Sequence, residues 1–299
     1  MAWLNKIETR LEAGLICGAD APMIVWGDDE AGFVHDVINL MTPEIVLATV
    51  CLPPGAFYRY SKEKNTLYDG YACFYVLSGE YTLHACDTGE VLIARAGEVI
   101  VLKGPQWHFG YNFASKQVRV LEIIAPPPST ENHRLTTAPG SPQSGVVHDA
   151  LADFPATAAH GTRKLFHLRP DDAVTAITGT RRPFRLRVFS SREEMSLAAF
   201  DQLPGKRSET LRFSCAVAVF CTAGEVYVRN LDDTDWACLK AGDAYYLPAG
   251  RPFEIYNWGD VLSAGLIALA GHLGREFDRA DPNTSFQQHL TGRLVHGTS

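Results

Sequence analysis

The sequence predicts an all-β protein made of two tandem barrels, with a short N-terminal helix and a C-terminal extension. One observation is that each copy consists of short β-rich runs separated by Gly, Pro and Asp, which is typical of antiparallel barrels. The other is that residues 79–121 are repeated 145 positions later without insertion or deletion. The matching positions are Gly79-Glu80 with Gly224-Glu225, Ala96-Gly97 with Ala241-Gly242, Leu102 with Leu247, Tyr111-Asn112 with Tyr256-Asn257, and Leu121 with Leu266.

The elements can be predicted in chain order from periodicity and turn residues. Residues 3–16 carry apolar side chains at spacings near 3.6, which predicts a short amphipathic helix. The β-rich texture begins at Val34. In the first copy we expect strands over residues 45–52, 72–77, 80–85, 91–94, 98–102 and 118–125.

The unit boundaries follow from composition. Pro126-Pro127-Pro128 ends the first copy, and the stretch up to about residue 160 is rich in Pro, Ser, Thr and Gly. A short helix is expected near Leu273 to Asp278. The predicted division is a first barrel with its N-terminal helix over 1–128, a linker over 129–163, a second barrel over 164–271 and a tail over 272–299.

Composition excludes several classes of partner. The net charge is −7 and no long Lys/Arg cluster occurs, so nucleic-acid binding is not expected. No run of 18 apolar residues exists that would predict a membrane span. The N-terminus is too polar for a signal peptide, and the seven cysteines form no CxxC pair, so we expect a cytoplasmic protein. Edge strands and the apolar helix face favour a homodimer.

Further short motifs give a family resemblance. The segments are Pro53-Pro54-Gly55, Phe74–Glu80, Gly97 and His108–Asn112 in the first copy, and Thr222–Glu225 and Gly242–Gly250 in the second. Together they resemble the cupin superfamily. Two such units, over roughly residues 40–125 and 185–270, look like a bicupin, whose fold is two jelly-roll barrels.

The resemblance is informative about metal binding, because the usual ligands are replaced. Metal-binding cupins carry a His-x-His pair, a glutamate and a later histidine. In the first copy the corresponding positions are Tyr60, Lys62, Ala72 and His108; in the second they are Thr210, Arg212, Val217 and Phe253. We therefore expect no metal and no cofactor. The alternative is an unusual metal site that His84 and Cys73 rebuild beside His108.

The residues that survive predict acid–base chemistry on a small molecule. His108 is the candidate proton-transfer group, with Tyr58 or Tyr60 as its acid partner. The candidate substrate-binding residues are Lys62, Cys73, Asn112, Glu122 and Arg212. The expected function is an isomerase, cyclase, dehydratase or lyase working in the first barrel.

Three alternatives stay open. His108 can be a former ligand that is now packed in a core. The protein can be a quercetinase-like dioxygenase with substituted ligands, or a bicupin that binds a small molecule without catalysis. In the second copy, Phe213, Phe220 and Phe253 predict a filled barrel with a structural role.

Overall fold

The computed structural model describes residues 9–59, 71–85, 89–103, 108–127, 165–179, 181–233 and 236–280. These residues form two compact units. Unit 1 holds Pro22–Met41 and the described part of Val46–Arg169, and unit 2 holds Thr9–Ala21, Thr42–Ile45 and the described part of Pro170–Ser299. In this part of the chain, no helix is long and apolar enough to cross a membrane.

The described secondary structure is almost entirely strand, which confirms the all-β prediction. In chain order the elements are β1 (Gly14–Ile16), β2 (Met23–Asp28), β3 (Gly32–Met41), β4 (Val46–Leu52), β5 (Phe57–Tyr58), β6 (Tyr71–Ser78), β7 (Glu80–Ala85), β8 (Glu90–Arg95), β9 (Val99–Lys103), β10 (His108–Tyr111), β11 (Val118–Ala125), β12 (Leu165–Leu168), β13 (Val174–Thr178), β14 (Phe184–Ser191), β15 (Ser196–Gln202), β16 (Val217–Ala223), β17 (Glu225–Asn230), β18 (Trp236–Lys240), β19 (Ala244–Leu247), β20 (Phe253–Tyr256), β21 (Ser263–Leu269) and α1 (Leu273–Ala280).

Unit 1 consists of two antiparallel sheets. The larger has the strand order β12-β9-β6-β11-β4-β3-β2, and the smaller has the order β5-β10-β7-β8. Unit 2 repeats this plan with β1-β19-β16-β21-β15-β14-β13 and β18-β17-β20. Side chains alternate between the two faces of a strand, so every second residue of each large sheet faces the interior of its own unit.

The repeated glycines are explained by the turns that they form. Gly79 joins β6 to β7 with φ at 83°, and Gly224 joins β16 to β17 with φ at 66°. A Cβ atom at Gly79 would lie 2.9 Å from the carbonyl oxygen of Gln117. Positive φ and close backbone approach both require glycine, which is why this position is the same in the two copies.

Two predicted boundaries differ from the structure. Residues 3–8 of the predicted N-terminal helix lie outside the described residues, but its end, Gly14–Ile16, is a strand that pairs with β19 in unit 2. Leu165–Leu168, which we assigned to the second barrel, pairs with β9 of unit 1. Both strands are short edge strands, and their local pattern does not determine which sheet they join.

The predicted helix at the C-terminal side is confirmed by α1, but it is not a detached tail. Leu273 and Phe277 belong to the core of unit 2, and the Phe277 ring lies 5.6 Å from the ring of Phe213. The boundary that we placed at residue 272 therefore cuts through a packed core. The helix carries Leu273 and Phe277 four positions apart, and so short an apolar pattern does not predict that it packs on the barrel.

Candidate functional site

Polar side chains enter the interior of unit 1 from both of its sheets. On β11, Val120 and Ile124 belong to the interior core, so Glu122 between them faces the same way. On β3, Val34 and Ile38 face inward, and Asp36 lies between them. These two carboxyl groups therefore share the inward face of the large sheet.

The small sheet contributes two tyrosines and a histidine. The hydroxyl oxygens of Tyr58 and Tyr81 lie 2.5 Å apart. The ring of Tyr58 meets the ring of His108 edge-on, with centroids 6.0 Å apart. His108 is buried, with 8% of its surface exposed, and Tyr81 is fully buried. The structure thus brings together His108 and Tyr58, as predicted, and adds Tyr81.

Gly110 makes room for this arrangement. Gly110 lies opposite Tyr58 in the β5–β10 pair and two residues after His108. Tyr58, His108 and the Gly110 position are therefore all on the interior face of the small sheet. A Cβ atom at Gly110 would lie 2.2 Å from Cε1 of the Tyr58 ring. The ring therefore occupies the space above β10 that any other side chain would fill.

Aromatic rings line the interior around these polar groups. The Phe74 ring lies 5.5 Å from the imidazole of His108 and 5.9 Å from the ring of Tyr81. Trp26 meets Tyr58 edge-on at 6.2 Å. Apolar walls with a few convergent polar groups are the usual composition of a small-molecule site.

The two carboxyl groups are held in an environment that favours their neutral forms. Burial raises the pKa of Asp36 from 3.8 to about 7. Burial, and then the charge of Asp36, raise the pKa of Glu122 from 4.5 to about 8. The Oδ1 atom of Asp36 is buried and has no hydrogen-bond partner among the described residues. Burial also raises the pKa of Tyr81 well above 10, although the hydrogen bond between the Tyr81 and Tyr58 hydroxyls lowers it.

The corresponding positions of unit 2 are almost all apolar. The match for Asp36 follows from strand pairing. Asp36 lies opposite Val50 in unit 1, and Leu186 lies opposite Phe200, the corresponding pair, in unit 2. The matched pairs are Asp36 and Leu186, Tyr58 and Ser208, Tyr81 and Val226, His108 and Phe253, Gly110 and Ile255, and Glu122 and Ile267. All of these except Ser208 lie in the hydrophobic core of unit 2. The interior polarity therefore belongs to unit 1.

The filling of unit 2 agrees with the prediction for two of three phenylalanines. Phe213 and Phe253 are fully buried in the core of unit 2, with ring centroids 6.3 Å apart. Phe220 is also buried, but its neighbours Val219 and Cys221 face the core, so Phe220 faces the opposite side of the sheet. The prediction for Phe220 was wrong because it ignored strand alternation.

Three predicted substrate-binding residues have other roles. Cys73 lies between the inward-facing residues Ala72 and Phe74 and so faces away from the interior; burial raises its pKa to about 12, which keeps the thiol unreactive. Asn112 is occupied by the backbone, since its amide nitrogen donates to the carbonyl oxygens of Leu52, Pro53 and Lys116 and its oxygen accepts from Ala114 N–H. Arg212 is exposed in unit 2 and donates to the carbonyl of Gly250.

Other predicted residues are either outside the described part or turned away. Tyr60 and Lys62 lie outside the described residues. His84 lies on the outer face of β7, where its ring packs 5.7 Å from Phe109, and so it does not approach His108. Asp36 and Tyr81 are two interior residues that the sequence did not predict. For Tyr81 a signal existed, because Val226 replaces it two residues after the repeated glycine.

The described residues of this interior do not fit a divalent metal ion. No group of three or more His, Cys, Asp and Glu side chains among them is arranged to hold one. Ala72 occupies the position where the resemblance places a glutamate ligand, and His84 and Cys73 face away from His108. A divalent ion needs three or four protein donors, so His108 does not suffice.

Comparison with known proteins supports the fold. No protein-family model matches the chain, and no curated protein matches it in sequence. Oxalate decarboxylase from Lactobacillus farciminis, solved as a formate complex, is 14% identical, with a TM-score of 0.60 over 94% of this chain and 96% of that chain. AerE from Microcystis aeruginosa is 11% identical, with a TM-score of 0.56 over 83% and 97% of the two chains.

A further solved structure agrees with these. Protein Ylba from E. coli is 12% identical, with a TM-score of 0.58 over 85% of this chain and 89% of that chain. These are cupin-family structures, so the chain has the cupin jelly-roll fold. At such low identity the comparison says nothing about the reaction, which has to be argued from the site.

Proposed function

We propose that the interior of unit 1 is the catalytic site of an enzyme that transfers protons on a small molecule. The reaction class is isomerisation, cyclisation, dehydration or a related lyase step. The observation that supports this most directly is the contrast between the two units. His108, Tyr58, Tyr81, Asp36 and Glu122 share an interior that unit 2 fills with apolar side chains.

Burial of polar groups without a function is costly, so their grouping in one unit calls for an explanation. Each buried polar group that lacks a good partner lowers stability by about 1–3 kcal/mol. The second copy shows that the same barrel folds with Leu186, Val226 and Ile267 at these positions. Groups that a fold does not need, and that destabilise it, are expected at functional sites.

The chemistry follows from the positions of His108 and Tyr58. His108 removes a proton from a carbon next to a carbonyl, so that the C–H bond breaks and the electron pair moves to the carbonyl oxygen. Tyr58, whose hydroxyl is bonded to that of Tyr81, donates a hydrogen bond to this developing oxyanion. Return of the proton to a different carbon gives isomerisation, and departure of a group from the β-carbon gives elimination.

Solvent isotope exchange tests this proposal without knowledge of the natural substrate. A panel of small ketones, keto acids and hydroxy ketones is incubated with the protein in D₂O, and deuterium incorporation is followed by NMR. We expect exchange with at least one compound, and His108→Gln should reduce its rate at least about 100-fold. His84→Gln is the matched control, since it changes a histidine of the same small sheet on the outer face.

Two results would contradict the proposal. One is that both His108→Gln and Tyr58→Phe exchange deuterium at the wild-type rate. The other is the absence of exchange above the buffer rate for every carbonyl compound of the panel.

Oxalate decarboxylation, the activity named for several of the similar structures, is not favoured by this interior. No Lys or Arg lies on the inward faces of the described strands of unit 1, while the carboxyl groups of Asp36, Glu90 and Glu122 do. A dianion placed beside Asp36 and Glu122 would meet no Lys or Arg of the described strands, and it would meet like charge whenever either carboxyl group ionises.

A further inference from the structure

The strongest unexplained feature of unit 1 is a pair of inward-facing carboxyl groups that no Lys or Arg of the described strands faces. Asp36 and Glu122 come from β3 and β11, which are separated in the sheet by β4 alone. Asp36 lies opposite Val50 and Glu122 opposite Ala48, on neighbouring inward positions of β4. The two side chains therefore approach the same part of the interior.

No Lys or Arg on the inward positions of the described strands neutralises these groups. Val46, Ala48, Val50 and Leu52, the inward residues of β4, are all apolar. The other titratable side chains on inward positions are Tyr58 from β5, Tyr81 from β7, Glu90 from β8, His108 from β10 and His167 from β12, which is bonded to Glu98 at 2.8 Å. Oδ1 of Asp36 is buried and has no hydrogen-bond partner among the described residues.

The walls beside the carboxyl groups are aromatic. Phe74 lies directly opposite Glu122 in the β6–β11 pair, and its ring packs against the rings of Tyr81 and His108. Trp26 lies two residues beyond Ile24, the direct partner of Asp36, and its ring packs edge-on against Tyr58. Aromatic rings next to carboxylates form a favourable environment for an organic cation, because the ring faces and the carboxylate oxygens both attract positive charge.

We propose that the natural ligand of unit 1 carries a cationic amine, which Asp36 and Glu122 bind while the rest of the molecule extends toward His108 and Tyr58. This rests on the proposed function, since it places the reacting carbons at His108. The ammonium group donates to the unpartnered Oδ1 of Asp36 and to Glu122. Binding then gives the unpartnered Oδ1 of Asp36 a hydrogen-bonded ion pair and places the same cation beside Glu122.

The raised pKa values of Asp36 and Glu122 agree with this arrangement. An acid that lacks a cationic partner is neutralised by protonation instead, which is the state that burial favours at both positions. The amine would displace these protons.

The test uses the full chain and three molecules of equal shape that differ in charge: benzylamine, benzyl alcohol and benzoate. Dissociation constants are measured at pH 7.5 by ligand-observed NMR. We expect benzylamine to bind at least about tenfold more tightly than either of the others, since a hydrogen-bonded ion pair is worth more than 1.4 kcal/mol. Asp36→Asn with Glu122→Gln should remove this preference and leave the affinity for benzyl alcohol unchanged.

Glu80→Gln is the matched control. Glu80 is an acid of the same unit, on the outer face of β7, where it pairs with Arg95 at 3.0 Å. It should retain the preference for benzylamine. Equal affinity for the three molecules, preference for benzoate, or no saturable binding of benzylamine would each overturn the inference.

The outcomes separate this inference from the proposed function. Cation preference that depends on Asp36 and Glu122, without any exchange that depends on His108, would support an amine-binding protein and contradict catalysis. Exchange that depends on His108, without cation preference, would support the proposed function and contradict the amine.

Discussion

The hydroxyl oxygens of Tyr58 and Tyr81 lie 2.5 Å apart, and the Tyr58 ring is held between Trp26 and His108. Tyr81 is fully buried, whereas Tyr58 is half-buried. Tyr58→Phe therefore leaves a buried hydroxyl without this partner, and we expect the free energy of unfolding to fall by about 1–3 kcal/mol. Urea titrations of the single and double variants measure this.

A double-mutant cycle makes the expectation sharper. Tyr58→Phe in a Tyr81→Phe background should have little further effect, because the hydroxyl pair is already lost. Tyr227→Phe is the control, since its hydroxyl donates to Glu225 on the outer face of β17 in unit 2. Additive effects of Tyr58→Phe and Tyr81→Phe would contradict the coupling.

Gly110 is expected to be as important for the site as the tyrosine that covers it. Gly110→Ala places a methyl group 2.2 Å from Cε1 of Tyr58, so the ring has to move away from His108. We expect destabilisation of about 1–3 kcal/mol from overpacking, and loss of the isotope exchange to the level of Tyr58→Phe. Gly259→Ala is the control, because its added methyl group would meet only the side-chain oxygen of Asn257 at 3.3 Å. Unchanged exchange in Gly110→Ala would contradict this role.

The fold could be predicted because the features that determine it are local and repeated. The turn glycines Gly79 and Gly224 have positive φ. The side-chain amides of Asn112 and Asn257 donate hydrogen bonds to backbone carbonyls of the loops that follow them. Such positions accept few residue types, so they stay the same in both copies. The partners of the edge strands β1 and β12 could not be predicted, since a short apolar strand fits the edge of either large sheet.

The site was only partly predictable, for a different reason. His108 was found because its replacement by Phe253 breaks the repeat at a known motif position. Asp36 lies before the part of the chain that repeats without gaps, so no aligned residue revealed it. Cys73 and Asn112 were predicted from their proximity in sequence to the other site residues. Side chains alternate between the faces of a strand, so Cys73, between two inward residues, faces outward. The side-chain amide of Asn112 is hydrogen-bonded to the backbone.

Exchange of interior residues between the two units should change stability in opposite directions. Glu122→Ile gives unit 1 the residue that unit 2 has, and removes a buried carboxyl group, so we expect the free energy of unfolding to rise by about 1–4 kcal/mol at pH 8. Ile267→Glu places a carboxyl group in the apolar core of unit 2 and should lower it by more than about 3 kcal/mol.

Chemical denaturation at fixed pH measures both variants. Glu122→Gln is the control for the loss of charge without a gain in apolar packing, and it should lie between the wild type and Glu122→Ile. A lower stability of Glu122→Ile than of the wild type would show that Glu122 is needed by the fold, and would contradict the reasoning that assigns it to function.

The pH dependence of stability follows from the same two carboxyl groups. Asp36 and Glu122 have folded-state pKa values of about 7 and about 8, above their ordinary values of 3.8 and 4.5. Between these limits the folded protein binds more protons than the unfolded chain does. The stability that they contribute is thus fully present below pH 4, decreases as the pH rises, and is lost once the pH has passed through the folded-state values of about 7 and about 8. Between its ordinary and its raised pKa, each group lowers the free energy of unfolding by roughly 1.4 kcal/mol per pH unit.

Comparison of variants isolates this contribution from the rest of the protein. The decrease in the free energy of unfolding between pH 5 and pH 8 should be smaller in Asp36→Asn with Glu122→Gln than in the wild type, because neither amide titrates. Glu80→Gln should keep the wild-type slope, since Glu80 pairs with Arg95 at the surface. An identical slope in the double variant and the wild type would mean that Asp36 and Glu122 ionise in the folded protein as readily as in the unfolded chain, and that the interior of unit 1 is open to water.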